Sequence, residues 1–342
     1  MRLYNTYDRK VLREQLQRSD AERTTLSFYK YAKIGNPNFF RDYLYLNWEE
    51  LGVMGRIYVA HEGINAQISV PTINWSDFEN KLNEVLFLEQ VRLNVAREDD
   101  GKSFFKLKIL VRPKIVADGL NDASFDASDG GQHLDAQSFN TITADDNTLL
   151  IDMRNHYESE VGHFKGAITP DVDTFRDSLP IIEEQLRGNE EKNIVMYCTG
   201  GIRCEKASAW FKHKGYENVF QLDGGIIEYS RQVNEQGIDN KFIGKNFVFD
   251  ERLGERITED VIAVCHQCGT ACDDHTNCVN EACHVLFIQC KKCKSKFENC
   301  CSKECKTVIQ LPIEEQRELR KGKKVVRNIF KKGRSQNLKY KK

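Results

Sequence analysis

A cysteine stands where an apolar segment of the chain gives way to a glycine turn. Cys198 follows the β-branched run Ile194–Tyr197 and precedes the loop residues Thr199, Gly200, Gly201, Ile202 and Arg203. A strand, a tight loop and a helix in this order direct backbone N–H groups and a helix N-terminus at one side chain, and these groups favour a thiolate over a thiol. Cys198 is therefore the candidate nucleophile, with the Arg203 cation helping to keep its sulfur ionised.

The three residues after this loop each have a structural and a chemical interpretation. Cys204 could resolve an oxidised Cys198, but packing in the first helical turn is favoured, because small buried cysteines commonly pack in this way. Glu205 complements the dipole of the helix, and Lys206 lies beside it in the sequence. The chemical interpretation of Glu205 and Lys206 is contact with a substrate.

A second polar group lies between two predicted strands of the N-terminal part. His61, Glu62 and Asn65 could supply acid, base and hydrogen-bonding chemistry. A hairpin turn with exposed polar residues is the favoured interpretation, because no partner motif accompanies them.

Ten further cysteines are crowded into the C-terminal third of the chain. They are Cys265, Cys268, Cys272, Cys278, Cys283, Cys290, Cys293, Cys300, Cys301 and Cys305. Two C-x2-C pairs have the spacing of thiolate zinc sites, and His266, His275 and His284 are additional donors. The set could complete up to two structural zinc sites, with sequential and interleaved pairings both possible. An iron–sulfur cluster is less favoured, because the ferredoxin spacings are missing.

Composition and charge restrict the class of protein. The 342 residues are 40% hydrophobic with a net charge of −1, which favours two to three domains with real cores. No apolar run approaches the roughly 20 residues of a membrane span, and the charged N-terminus lacks the core of a signal peptide. We expect a soluble, cytoplasmic protein with no membrane partner, in which crowded cysteines bind metal rather than form disulfides.

The C-terminal tail is strongly basic. Residues 317–342 contain 12 Lys or Arg residues and one acidic residue, Glu318. Such a tail is either a contact for a polyanion such as RNA or a solvated, disordered segment. The lysines interleaved with the late cysteines, Lys291, Lys292, Lys294 and Lys296, are a further candidate RNA contact.

Hydrophobic patterning in the N-terminal part of the chain predicts strands and helices in the order β-α-β-β-α-β. After a lead-in over 1–22, the predicted elements are a strand at 25–31, a helix at 36–51, strands at 54–60 and 64–70, a helix at 75–87 and a strand at 104–111. This order fits a ferredoxin-like (acylphosphatase-like) domain over 23–114. Phe28, Tyr29 and Tyr31 either stack bases on an exposed sheet face or belong to the core.

The remaining boundaries follow from composition and alternation. Residues 115–132 are rich in Asp, Gly, Ala and Ser and are predicted to be a linker. Strands and helices alternate over 133–246, which predicts a parallel sheet with functional groups at the carboxyl ends of its strands. A Cys-rich, metal-binding region over 247–312 and the basic tail over 313–342 complete the α/β multidomain chain.

Three short motifs accompany the Cys198 loop in a fixed order. They are Asp152-x-Arg154, Gly162-His163-x-x-Gly166-Ala167 and Leu222-Asp223-Gly224-Gly225. Together they resemble a rhodanese domain, in which the Asp-x-Arg motif ends an early strand, the Gly-His motif is structural and the cysteine loop is the active site. The resemblance implies that His163 is a core or turn histidine. It also implies that related phosphatases have a loop one residue longer, so a six-residue loop argues against a phosphatase.

The combination of modules is more specific than any one motif. His61-Glu-Gly-Ile-Asn65, Cys198-Thr-Gly-Gly-Ile-Arg-Cys-Glu-Lys206 and the late cysteines, within residues 20–310, resemble the rhodanese-domain tRNA uridine hydroxylases. The resemblance implies 5-hydroxylation of the wobble uridine in the anticodon stem-loop of tRNA, with molecular oxygen as co-substrate. The sequence contains no flavin, nicotinamide or P-loop motif.

Two other functions remain open from the residues alone. A rhodanese-type sulfurtransferase would form a persulfide on Cys198 and pass its sulfur to an acceptor. An RNA-binding scaffold would use the Cys-rich region and the tail, but the intact Cys198 and Arg203 argue against it.

Overall fold

The structure, a computed structural model, describes residue 3 and residues 9–96, 99–122, 125–127, 129–321 and 338–340. The chain forms two compact units. The first unit comprises Met1–Met153, Glu183–Asn240 and Val248–Arg252, and the second comprises Arg154–Ile182, Lys241–Phe247 and Leu253–Lys342. Residues of the predicted second domain therefore occur in both units.

The described residues form short helices and strands that alternate along most of the chain. The helices are α1 (Arg9–Arg18), α2 (Pro37–Glu50), α3 (Trp75–Asn83), α4 (Ala136–Ile142), α5 (His156–Ser159), α6 (Phe175–Leu186), α7 (Ile202–His213), α8 (Gly225–Gln236), α9 (Lys291–Phe297), α10 (Lys303–Ile309) and α11 (Ile313–Arg320). The strands are β1 (Arg23–Tyr31), β2 (Met54–Ala60), β3 (Gly63–Pro71), β4 (Asn94–Val95), β5 (Leu107–Val111), β6 (Gln132–Leu134), β7 (Thr148–Asp152), β8 (Gly162–Phe164), β9 (Asn193–Tyr197), β10 (Val219–Leu222), β11 (Phe242–Asn246), β12 (Glu255–Arg256), β13 (His275–Asn277) and β14 (Leu286–Ile288).

The N-terminal sheet of the first unit has the strand order β4-β1-β3-β2-β5. Its central strands β1, β3 and β2 are antiparallel neighbours. Helix α2 connects β1 to β2, and helix α3 connects β3 to β4, as the predicted βαββαβ order requires. Helix α2 begins after Asn36, whose side chain accepts a hydrogen bond from the N–H of Phe39, and Pro37 occupies its first turn.

The last strand of the predicted βαββαβ order was wrongly identified. The predicted last strand, 104–111, forms β5, which begins at Leu107 and pairs in parallel with β2 at one edge. The last strand of the βαββαβ order is instead β4, which pairs with β1 at the opposite edge. A two-residue strand has no periodicity that a sequence pattern could reveal.

The two faces of β1 have different environments. Leu26 and Phe28 are buried in the core with Trp48 and Phe78. Because successive side chains of a strand point to opposite faces, Ser27, Tyr29 and Tyr31 lie on the other face. Phe28 is thus a core residue, while the two tyrosines are free of the core and available to another surface.

The second sheet of the first unit is fully parallel, with the order β6-β10-β9-β7. Its central strand β9 is buried along most of its length, as expected for a strand covered on both faces. Cys198 follows the carboxyl end of this strand directly, and helix α7 begins four residues later. The predicted parallel sheet is confirmed, and Cys198 lies at the carboxyl end of its strand β9.

The segment predicted as a linker has no helix or strand before Gln132 in its described residues, 115–122, 125–127 and 129–132. It is nevertheless packed, because Ile115 is 2% and Asp118 is 1% exposed. Residues 123, 124 and 128 lie outside the described residues. The segment therefore holds fixed side chains within the first unit.

The second unit contains β8, β11 and β12 in one antiparallel sheet, the β13–β14 hairpin and the helices α9–α11. Cysteines Cys278, Cys300 and Cys301 form part of its small core together with Val285 and Phe287. Most of the basic tail 317–342 lies outside the described residues, namely 322–337 and 341–342. Within the described part of the chain, no helix is both long and apolar enough to cross a membrane.

Candidate active site

The loop after β9 surrounds the sulfur of Cys198 with backbone donors. The N–H of Gly201 donates a hydrogen bond to Cys198 Sγ at 3.2 Å. Gly201 has a φ of +99°, and a Cβ at this position would lie 2.6 Å from Tyr29 Oη. Both its backbone conformation and the close approach of the tyrosine therefore require glycine there.

Helix α8 braces the other side of the loop. The N–H groups of Ile226 and Ile227 donate to the carbonyl oxygens of Cys198 and Thr199 at 3.0 and 3.2 Å. Gly225 has a φ of +66°, and a Cβ on it would lie 2.5 Å from the Cys198 carbonyl oxygen. The Leu222–Gly225 motif therefore holds the nucleophile loop in place.

Cys198 is ionised at neutral pH despite being fully buried. Burial raises the pKa of its thiol, but the hydrogen bond with Cys204, the charge of Arg203 and the N–H groups of Arg203 and Cys204 together lower the pKa to about 5. A sulfur with this pKa is a nucleophile that does not need a separate base.

Cys204 has a second role beside packing. It is fully buried, and its pKa is raised well above the ordinary value by burial and by the hydrogen bond and negative charge of Cys198. The Cys204 thiol therefore stays protonated and supports the neighbouring thiolate.

The titration of Cys198 provides a direct check of this electrostatic arrangement. A group with a lowered pKa is protonated only as the pH falls through its folded-state value, so the thiolate absorbance that Cys198→Ser removes should disappear with a midpoint near pH 5. Arg203→Met should move that midpoint upward. A midpoint near the ordinary cysteine value of about 8.5 would contradict the arrangement.

The N-terminal sheet lies over the cysteine loop. Tyr29 Oη donates to Glu205 Oε1 at 3.1 Å, and Tyr31 Oη donates to the Ile202 carbonyl oxygen at 3.3 Å. Asn94 pairs with Ser27 in the β1–β4 ladder and approaches Gly200. We call Ser27, Tyr29, Tyr31 and Asn94 the covering face, since it lies against the loop that holds the buried Cys198.

Lys206 joins α7 to both the N-terminal sheet and the segment 115–132 that was predicted as a linker. Its Nζ lies 2.9 Å from both carboxylate oxygens of Glu62 and 2.5 Å from Asp118 Oδ2. The side chains of Lys206 and Asp118 are 1% and 0% exposed. The cluster therefore anchors α7 to residues that are 144 and 88 positions away in the sequence.

The predicted hairpin turn at His61 and Glu62 is present between β2 and β3. His61 Nδ1 lies 2.9 Å from the Ile34 carbonyl oxygen, and Asn65 Nδ2 donates to the Ile115 carbonyl oxygen at 3.2 Å. The favoured interpretation, a turn of exposed polar residues, does not describe Glu62, because its carboxylate binds Lys206. Its partner could not be found from the local sequence.

A charged network that sequence reasoning missed lies beside Glu205. His133 Nδ1 lies 3.0 Å from Asp223 Oδ1, and hydrogen bonds to Asp223 and Glu205 raise the pKa of His133 to about 9. Arg92 Nη2 binds Asp223 at 2.5 Å. Asp223 belongs to the Leu222–Gly225 motif, but nothing in the sequence marked His133 or Arg92 as its partners.

The Asp-x-Arg motif is split between the two units, and each member is held within its own unit. Asp152 is buried in the first unit and accepts a hydrogen bond from Tyr197 Oη at 2.7 Å. Arg154 is buried in the second unit, where its Nη2 donates to the Gly162 carbonyl oxygen at 2.6 Å. His163 bonds to the Phe164 carbonyl oxygen at 3.0 Å, in line with a scaffold role.

Eight of the ten late cysteines form two groups whose sulfur atoms lie within 4.8 Å of one another. Cluster I comprises Cys265, Cys268, Cys290 and Cys293, and cluster II comprises Cys278, Cys283, Cys301 and Cys305. Each group could hold one metal ion. In cluster I the two C-x2-C pairs share a site, and cluster II takes cysteines from both sides of the second pair.

Cys272 and Cys300, also predicted as ligands, lie outside both groups of the described residues. Cys300 is buried in the small core of the second unit, and Cys272 Sγ accepts a hydrogen bond from the N–H of Asp274. His266 binds Glu160 at 2.9 Å through Nε2 and accepts from the N–H of Ile288 through Nδ1. Four thiolates already complete a tetrahedral site, so no histidine is needed.

Three family models match consecutive parts of the chain. An "UPF0176 acylphosphatase like domain" matches residues 23–115, a "Rhodanese-like domain" matches 135–232 and a "Rhodanase C-terminal" model matches 243–306. These matches, with the two sheets, confirm the predicted acylphosphatase-like and rhodanese folds.

Three relatives resemble the chain over nearly all of its length. The protein of Leptospira interrogans serogroup Icterohaemorrhagiae serovar Lai is 53% identical over 97% of this chain and 90% of its own. The proteins of Photorhabdus laumondii and Yersinia pestis are 54% and 55% identical over 97% of this chain, and over 95% and 94% of their own. All three carry the name tRNA uridine(34) hydroxylase. This chain therefore belongs to the tRNA uridine(34) hydroxylase family.

Proposed function

We propose that this chain hydroxylates uridine 34 of tRNA at C5, with molecular oxygen as co-substrate and Cys198 as the essential thiolate. The observation that carries the proposal is a sulfur whose pKa is lowered to about 5 within a loop that the N-terminal sheet covers. The family relationship favours hydroxylation over the sulfurtransferase alternative.

The thiolate suits the chemistry of this base. C6 of uracil is electron-poor, and a thiolate is a nucleophile that can attack such a carbon. Attack at C6 makes C5 electron-rich, so C5 bonds to one atom of molecular oxygen. Loss of the C5 proton then breaks the C6–S bond and releases the Cys198 thiolate, and an external two-electron donor such as a dithiol reduces the second oxygen atom to water. Arg203 and Cys204 keep the sulfur ionised, and Gly201 with α8 holds it in one position.

Purified protein and unmodified tRNA test the proposal directly. Nucleoside mass spectrometry should detect 5-hydroxyuridine at position 34 after aerobic incubation with a dithiol reductant, and none after anaerobic incubation with the same reductant. Unchanged uridine under air would overturn the proposal. Turnover of thiosulfate with cyanide, in place of hydroxylation, would support sulfur transfer instead.

The wider surface is proposed to contact the anticodon stem-loop in the cytoplasm. Helix α9 exposes Lys291, Lys292 and Lys296 on the second unit, and the tail 317–342 adds 12 basic residues in the sequence. Positive charge of this kind binds the phosphate backbone without reading sequence.

Clusters I and II are proposed to bind one structural zinc ion each. Sulfur atoms at the corners of a tetrahedral zinc site stand about 3.8 Å apart, given a Zn–S distance of about 2.3 Å. Cys268 and Cys290 in cluster I, and Cys283 and Cys301 in cluster II, have sulfur atoms 3.6 Å apart. Bound zinc would crosslink segments that have little apolar core of their own.

Metal analysis distinguishes the two clusters. The wild type should contain about two zinc ions per chain, and Cys265→Ser or Cys305→Ser should each lose about one. Cys272→Ser is the matched control, because this cysteine lies outside both clusters, and it should keep both ions. Loss of zinc from the Cys272→Ser protein would contradict the assignment.

A further inference from the structure

Asn94 is the member of the covering face that approaches the middle of the cysteine loop. Its Nδ2 lies 3.4 Å from the point where a Cβ on Gly200 would be, and Ser27 Oγ lies 3.9 Å from the same point. The backbone of Asn94 pairs with Ser27 in the antiparallel β1–β4 ladder. Because paired residues of adjacent strands share a face, the ladder directs the Asn94 side chain at the loop.

Hydrogen-bonding capacity is left unused at this place. Asn94 is 6% exposed, yet its Oδ1 has no hydrogen-bond partner among the residues that the structure describes. Thr199 Oγ1, one residue after Cys198, is likewise buried and unpaired within the described part of the chain. Buried polar atoms without partners cost free energy, so their presence beside a reactive group indicates a ligand.

We propose that Asn94 recognises the target uracil, with Oδ1 accepting a hydrogen bond from N3–H and Nδ2 donating one to O4. This inference rests on the proposed hydroxylation of uridine 34. Cys198 is fully buried and the covering face lies against its loop, so we take separation of that face from the loop as the route by which a base enters. Separation exposes Cys198 on one wall and Asn94 on the opposite wall of the same opening.

The amide of asparagine is complementary to this edge of uracil. It presents one acceptor beside one donor, and uracil presents the donor N3–H beside the acceptor O4. Cytosine has an acceptor at N3 and a donor at C4, so the same orientation of Asn94 would leave both pairs unmatched. A site that leaves buried polar groups unpaired rejects the wrong substrate strongly.

The experiment compares tRNA carrying uridine or 3-methyluridine at position 34, since the methyl group removes the N3–H donor. Wild-type kcat/KM should favour uridine by roughly 10- to 100-fold. Asn94→Ala should lose a similar factor on uridine, and its preference between the two substrates should shrink to within about threefold. Asn80→Ala, an exposed position on α3, is the matched control and should behave as the wild type.

Several outcomes would overturn this role. Equal turnover of both tRNAs by the wild type would do so without any variant. An Asn94→Ala protein, or Asn94→Ser where alanine impairs folding, that retains wild-type activity or an undiminished preference would do so as well. Failure of the wild type to hydroxylate uridine at all would instead remove the proposed function, and this inference with it.

Discussion

Replacing Cys198 by serine should lower kcat/KM for tRNA hydroxylation by a factor on the order of 10⁴, because the nucleophile of a reaction cannot be replaced by its neighbours. A serine hydroxyl in the same loop would remain protonated at neutral pH, since its pKa lies far above that of a thiol. Binding of tRNA should change little, because the fully buried sulfur makes no contact with solvent.

The control for this prediction is the neighbouring cysteine. Cys204→Ser keeps a hydrogen-bond donor beside Cys198, so its activity should fall by no more than roughly tenfold. Rates are measured by mass spectrometry of 5-hydroxyuridine under single-turnover conditions, with tRNA affinity measured in parallel. Comparable losses in the two variants would show that Cys198 has no special role.

Replacing Lys206 by methionine should destabilise the first unit by about 3–5 kcal/mol, since it removes the buried cation that the Asp118 and Glu62 carboxylates share. Asp118 keeps Lys114, whose Nζ lies 2.6 Å from Oδ1, but Glu62 loses both of its contacts with Lys206. The change in unfolding midpoint in urea measures the effect. Lys212→Met is the matched control, because its partner Asp129 is 73% exposed, and it should cost less than about 1 kcal/mol.

The pH dependence of the Lys206 variant supplies a second check. Burial raises the pKa of Asp118, but the hydrogen bonds from Lys114 and Lys206 outweigh it and lower the pKa overall. A carboxyl group whose pKa is lowered by folding stabilises the folded state at pH values above its ordinary pKa. This stability is lost as the pH falls through the pKa of the folded state. The difference between wild type and Lys206→Met should therefore shrink in acid. A constant difference would mean that the cluster acts through packing alone.

The sequence was most informative where chemistry and local structure coincide. The Cys198 loop could be predicted because a β-branched strand, two glycines and a helix are adjacent in the chain, and the ionised sulfur follows from that geometry. The sharing of a site by the two C-x2-C pairs was one of the possibilities that spacing allowed. The sequence did not indicate that Cys272 and Cys300 would lie outside both clusters, because spacing does not reveal which thiols face one another.

Long-range contacts account for most of what could not be predicted. Asp118 occurs in a stretch of polar and small residues that is typical of a linker, and only the fold shows that it meets Lys206. The position of β4 was missed for a related reason, since two residues carry no pattern. Asn94 lies on that strand, so the residue that we propose to recognise uracil was missed together with the strand.

The covering face also affects how long the nucleophile survives in air. A sulfur that is ionised at neutral pH is readily oxidised to sulfenic acid and beyond when it is accessible. Cys198 has this ionisation but no exposed surface. We therefore expect the N-terminal sheet to slow oxidation of Cys198 by peroxide in the resting protein, with Tyr29 shielding the sulfur without taking part in the reaction.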